Sequence, residues 1–167
     1  MTTGATATLR EKHDGAPGGR SEVRLWLRLL SCAMVVEKRL KRRFSDRFGT
    51  TLPRFDVLAA LDRHPQGMTM GALSRSLLVS AGNVTMLVQA LGAEGHVALT
   101  PSPTDRRASI VTLTTRGAEH FAELARAHHH WVAGMFEGLS RQQREMLFDL
   151  LGAAKLSIGA SREEDEK

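Results

Sequence analysis

Apolar residues along most of this chain recur every three or four positions, and the period switches to two only once, near the middle. From Glu22 to Phe48 one helical face is marked by Trp26, Leu30, Ala33, Val36, Leu40 and Phe44, and Leu25, Leu29 and Cys32 add a second. A helix that is apolar on two sides must be covered on two sides, as an intersubunit helix would be. Gly49 stops it. Thr51 and Pro53 open a second helix, in which Phe55, Leu58, Ala59 and Asp62 mark the period and proline is tolerated in the first turn. His64-Pro65-Gln66-Gly67 ends that helix. Thr69 can cap a third helix with Met70, Leu73 and Leu77 inside, and Ser80 can cap a fourth with Val84, Leu87, Val88 and Leu91 inside. Gly95 closes the fourth.

Val97 and Leu99 then alternate, residues 101–107 form a turn rich in Pro, Ser and Asp, and Val111 and Leu113 alternate again. This pattern predicts a β-hairpin with a basic tip. A long helix is expected from about Thr115 to Leu139, with Phe121, Ala125, Val132, Met135 and Phe136 inside. Ser140 with Gln143 forms a capping box that opens a last helix carrying Leu147, Leu150, Leu151 and Ala154. The expected fold is mainly α with a small β-hairpin: a winged helix-turn-helix with N- and C-terminal dimerisation helices. It divides into a disordered arm (1–20), dimerisation helices (21–48 and 115–158), a DNA-binding lobe (49–114) and a flexible tail (159–167). The dimer interface is expected at Leu25, Leu29, Phe136, Leu147, Leu150 and Leu151.

Composition narrows the partners. The 167 residues carry a net charge of +5, which favours a polyanion, nucleic acid first. No apolar run reaches the roughly 18 residues needed to cross a bilayer, and residues 1–20 lack the apolar centre of a signal peptide, so a cytoplasmic protein without membrane contact is expected. A single cysteine, Cys32, excludes an internal disulfide and a Cys-rich zinc site. Its neighbours Leu29, Ala33 and Val36 suggest a buried, inert thiol. His128-His129-His130 point about 100° apart on a helix, and His120 does not complete a ligand set, so neither metal nor cofactor is expected. Phosphate loop, nucleophile elbow and zinc-protease pair are all absent, which argues against an enzyme.

The chemistry that remains is groove reading. With Val84, Leu87, Val88 and Leu91 inward, the fourth helix turns Gly82, Thr85, Met86, Gln89 and Ala93 outward, with Asn83 on the flank. Small residues allow close approach to the groove floor, Gln and Asn suit adenine edges, Thr suits either partner, and Met86 suits a thymine methyl. The helix N-terminus with Ser80 suits a phosphate. From Ser80 to Glu94 there is no Lys or Arg, so charge must come from Arg75 and from Arg106 and Arg107 at the hairpin tip, with Asp105 holding an arginine in place. The DNA-facing set is therefore Thr69, Arg75, Ser80, Gly82, Asn83, Thr85, Met86, Gln89, Arg106 and Arg107. A·T-leaning contacts and substantial shape readout are expected. The basic run Lys38, Arg39, Lys41, Arg42, Arg43 and Arg47 is read first as a solvated helix face and second as phosphate contacts.

From Met68 to Gly117 the chain resembles the MarR (multiple antibiotic resistance regulator) family. The resemblance rests on Leu73-Ser74, Val79-Ser80, Asn83-Val84-Thr85, Leu91, Gly95, Asp105-Arg106-Arg107, Leu113-Thr114 and Gly117, and the helix order extends it to about residues 22–158. Gln89, Gly92 and Leu99 depart from the family's usual charged residues. The resemblance implies a homodimeric repressor on an inverted-repeat operator, released by a small effector. Residues 23–30 and 51–56 are similar to the subgroup sensing aromatic acids or their coenzyme A thioesters. An effector site between lobe and dimer helices would then use Trp26, Leu30, Met34, Phe55 and Trp131 as walls and Arg28 or Arg54 for a carboxylate. The plainer reading of Trp26 and Phe55 is core. The alternative function is a winged-helix protein-interaction module with weak or no DNA binding.

Overall fold

The computed structural model describes residues 12–15, 18–103 and 108–160. Helix α1 spans Ser21–Phe48, α2 Leu52–Asp62, α3 Met70–Leu77, α4 Ala81–Ala93, α5 Thr115–Met135 and α6 Arg141–Ala160, and strands β1 (Met68–Thr69), β2 (Val97–Pro101) and β3 (Ser109–Leu113) form one antiparallel sheet in the order β1-β3-β2. The fold is a winged helix-turn-helix. Helix α1 stops where expected: Gly49 takes the left-handed conformation at φ 60°, and its N–H donates to the Ser45 carbonyl (3.0 Å). Thr69 caps α3 by accepting from the Ala72 N–H (3.2 Å), and Ser80 caps α4 by accepting from the Asn83 N–H (3.4 Å).

The chain divides into two compact units, residues up to His128 and residues from His129. In the first, Phe44, Leu58, Leu61, Leu73, Val84, Val88, Leu91, Val111 and Leu124 are fully buried and tie α1, α2, α3, α4, β3 and α5 into one core. The hairpin pairs Val97 with Leu113 and Leu99 with Val111. Val97 is buried, but Leu99, two residues further out on the same face, is half exposed on the edge strand β2, while its partner Val111 on the central strand β3 is fully buried.

Strand β1 was not expected. Met68 pairs with Val111 and Thr69 with Ile110, and two residues are too few to show a period. Within the segment read as a disordered arm, Lys12–Gly15 form a 3-10 turn, anchored by the Lys12 N–H on the Ser31 hydroxyl (2.9 Å). Cys32 is exposed, where burial was expected: on the same second face of α1 Leu25 is exposed as well and Leu29 only half-buried. Helix α5 ends at Met135 rather than Leu139. Phe136 to Leu139 form turns instead, and the Arg144 guanidinium donates to the Leu139 carbonyl (2.7 Å) at that corner. The capping box at Ser140 is present in both directions, Ser140 N–H to Gln143 Oε1 (2.8 Å) and Gln143 N–H to Ser140 Oγ (3.2 Å). No residue of α6 is buried.

Candidate nucleic-acid interface

Helices α3 and α4 bend by 111° across the turn Leu78–Ser80, inside the range usual for helix-turn-helix pairs. Two contacts close that turn: the Val79 N–H donates to the Ser74 carbonyl (3.2 Å), and the Ser74 hydroxyl donates to the Val79 carbonyl (2.6 Å). Leu78 sits in the left-handed region at φ 54°, with its side chain 92% exposed. This is an uncommon conformation for a residue with a Cβ, held by the turn on either side.

The turn aims one face of α4 outward. Val84, Val88 and Leu91 are buried and Leu87 is half-buried, while Gly82, Asn83, Thr85, Met86, Gln89 and Ala93 are exposed. The Thr85 hydroxyl donates to the Ala81 carbonyl (3.0 Å), so its proton is committed and its oxygen is left to accept. A cavity of about 580 Å³ lies beside this face, lined by Thr69, Met70 and Gly71 at the start of α3, Thr85, Val88 and Gln89 on α4, Leu99 on β2, and Ala108 and Ser109 at the start of β3. Arg75 is exposed in the last turn of α3. Asp105, Arg106 and Arg107 lie outside the described residues.

The expected effector residues are dispersed. Trp26 and Met34 are about half exposed on α1, Arg28 is exposed and Leu30 half-buried. Phe55 is buried between Phe44 (centroids 4.9 Å), Phe121 (5.6 Å) and His128 (4.7 Å), so the plainer reading of core holds for it. Trp131 is buried, in the second unit. Arg54 already has a carboxylate: its Nη2 donates to Glu94 Oε1, so it is not free to meet a ligand without releasing Glu94. On α1, Lys41 pairs with Glu37 (2.6 Å), Arg42 with Asp46 (3.3 Å), and Arg47 lies over the Phe48 ring at 5.3 Å, in keeping with a solvated charged face.

Sequence reasoning missed the cluster around Glu94. His96 Nδ1 lies 3.5 Å from Glu94 Oε2, and the His96 ring stacks on His120 at 4.4 Å. Arg54 beside it holds the Glu94 carboxyl below its ordinary range; burial, with His120 and two arginines nearby, pushes the His96 imidazole down. The start of α5 is pressed against this corner. Thr114 Oγ1 donates to the Gly95 carbonyl (2.7 Å) and accepts from the Gly117 N–H (2.9 Å), and any Cβ at Gly117 would overlap the His96 carbonyl. Among the described residues no group of three or more His, Cys, Asp or Glu side chains is placed to hold a metal ion, and no single helix is long and apolar enough to cross a membrane.

The MarR family model matches residues 48–108, the lobe just described. The chain is 36% identical over 138 residues to the transcriptional activatory protein BadR of Rhodopseudomonas palustris, covering 78% of each chain. The chain belongs to the MarR family. A MarR family transcriptional regulator from Silicibacter pomeroyi is 31% identical, with a TM-score of 0.70 over 82% of this chain and 94% of that one. The fold also matches Sco3205 of Streptomyces coelicolor, a MarR family regulator solved in complex with DNA (TM-score 0.75, 21% identity, 88% of this chain and 93% of that one). This member of the MarR family is accordingly a DNA-binding transcriptional regulator and not an enzyme.

Proposed function

We propose that the protein acts in the cytoplasm as a homodimeric repressor whose two α4 helices read an inverted-repeat operator, and that a small aromatic acid or acyl-CoA-type effector releases it. The observation that carries the reading is the outward face of α4: small or hydrogen-bonding side chains above a sealed apolar face. Gln89 and Asn83 would meet adenine edges, Thr85 would accept from a base amino group, and Met86 would touch a thymine methyl. Arg75, with Thr69 and Ser80 at the helix starts, would hold phosphates, and Arg106 and Arg107 would enter the minor groove. Two such helices would sit about 34 Å apart in successive major grooves.

The dimer reading rests on apolar surface that the single chain leaves open. Leu25 is 67% exposed on α1, Leu29 is half-buried, and Phe136, Leu147, Leu150 and Leu151 are exposed. For the effector, Trp26, Arg28, Leu30 and Met34 on α1 remain the candidate contacts. The test is binding to a fluorescent duplex from the DNA flanking the gene, across a salt series, with and without aromatic acids. A regulator binds saturably, with a steep salt dependence, and an effector weakens it. Absence of any binding at low salt would favour a protein-interaction module instead.

A further inference from the structure

Glu94 sits at the C-terminal end of α4, where unpaired carbonyls already concentrate negative charge, so a carboxylate there opposes the helix dipole. It also adds negative charge to a helix that has no Lys or Arg of its own and must approach a polyanion. Neither helix stability nor attraction to DNA accounts for it. What the geometry offers instead is a tether. Arg54 projects from the first turns of α2, its side chain is only 17% exposed, and its guanidinium is engaged by Glu94. Arg54 Nε is buried without an acceptor, so releasing Glu94 would strand more of a charge already removed from water. On the other side of Glu94 stands His96, nine-tenths buried and stacked on His120 of α5.

We propose that Arg54 and Glu94 are positioning residues for DNA reading: their ion pair ties the end of α4 to α2 and fixes the angle at which Thr85, Met86 and Gln89 are presented. Neither residue touches DNA. The pair works through α4, so the proposal rests on α4 being the reading helix. It also explains how a chain with an uncharged reading helix keeps that helix in register without phosphate anchors along its length.

The test compares the full-length protein with Glu94→Gln, Gln89→Ala and the charge swap Arg54→Glu/Glu94→Arg, each titrated against the same promoter-flanking duplex. Charge alone predicts that Glu94→Gln binds DNA more tightly, since it removes a negative charge. The positioning role predicts the reverse, a loss of roughly three- to thirtyfold, in the range for residues that act on a site without touching it. The slope of log K against log salt should stay unchanged, because no phosphate contact is lost. The charge swap should recover most of the affinity. Glu94 is about half exposed, so Glu94→Gln keeps its fold, and circular dichroism at the assay temperature verifies this. Binding by Glu94→Gln as tight as or tighter than the parent overturns the proposal, as does a swap no better than Glu94→Gln. If Gln89→Ala also leaves affinity untouched, the reading face itself is wrong; if Gln89→Ala weakens binding and Glu94→Gln does not, only the tether fails.

Discussion

The reading lobe and the last helix handle their apolar residues in opposite ways. In the lobe, Leu58, Leu61, Leu73, Val84, Val88 and Leu91 are fully buried by their own chain. In α6, Met146, Leu147, Phe148, Leu150, Leu151, Leu156 and Ile158 are all exposed, some by more than two thirds. Isolated apolar residues on a surface need no explanation, but a helix with this many and no buried residue does. The lobe holds itself together, whereas the apolar side chains of α6 stay exposed, as the proposed dimer interface requires. The exposed Leu25, Trp26 and Met34 on α1 belong to the same class.

That contrast can be broken most sharply at α6. Leu150→Lys with Leu151→Lys should convert a dimer into a monomer by light scattering while the lobe's own circular dichroism survives; a variant still dimeric would remove α6 from the interface. A comparable cut in the lobe should act on folding instead. Leu73→Ala removes a fully buried side chain and should cost about 2–5 kcal/mol in urea unfolding. A cost no larger than that of Leu156→Ala, on the exposed helix, would contradict the difference between the regions.

Acid should weaken the lobe through His96. Its pKa in the folded chain lies below the ordinary 6.5, so the unfolded chain takes up a proton first. Stability is complete above pH 6.5 and falls as pH drops through 6.5 toward the lower folded value. The lowered Glu94 carboxyl adds a second loss only further down, below its ordinary 4.5. The urea midpoint should therefore drop between pH 7.5 and 5.5, and His96→Gln should remove most of that drop. The smallest effect is expected at Gly92, where an added Cβ would meet Leu99 Cδ1 and the Val97 carbonyl at 3.9 Å, an ordinary contact. Gly92→Ala should stabilise the protein by up to about 1 kcal/mol, because alanine is the better helix former.

The lobe was legible in the sequence because local signals agreed there. Thr69 and Ser80 cap the helices expected of them, Gly49 ends α1, and the period-two residues Val97, Leu99, Val111 and Leu113 fall in the hairpin. What escaped was either too short or too far apart in sequence. Strand β1 is two residues long. Arg54 and Glu94 are forty positions apart, and either alone reads as a solvated charge. Cys32 was expected inside because its neighbours are apolar, but the period of a helix shows which faces need cover without saying which chain supplies it. The same limit left Phe55 open between core and pocket until Phe44, Phe121 and His128 closed around it.

A footprint of the full-length protein on the DNA flanking its gene, with the stoichiometry measured on the same duplex, tests the central claim most directly. Two subunits per site and two protected patches centred about one helical turn apart, roughly 10 base pairs, are predicted. One subunit per site, or no protection at low ionic strength, would contradict it.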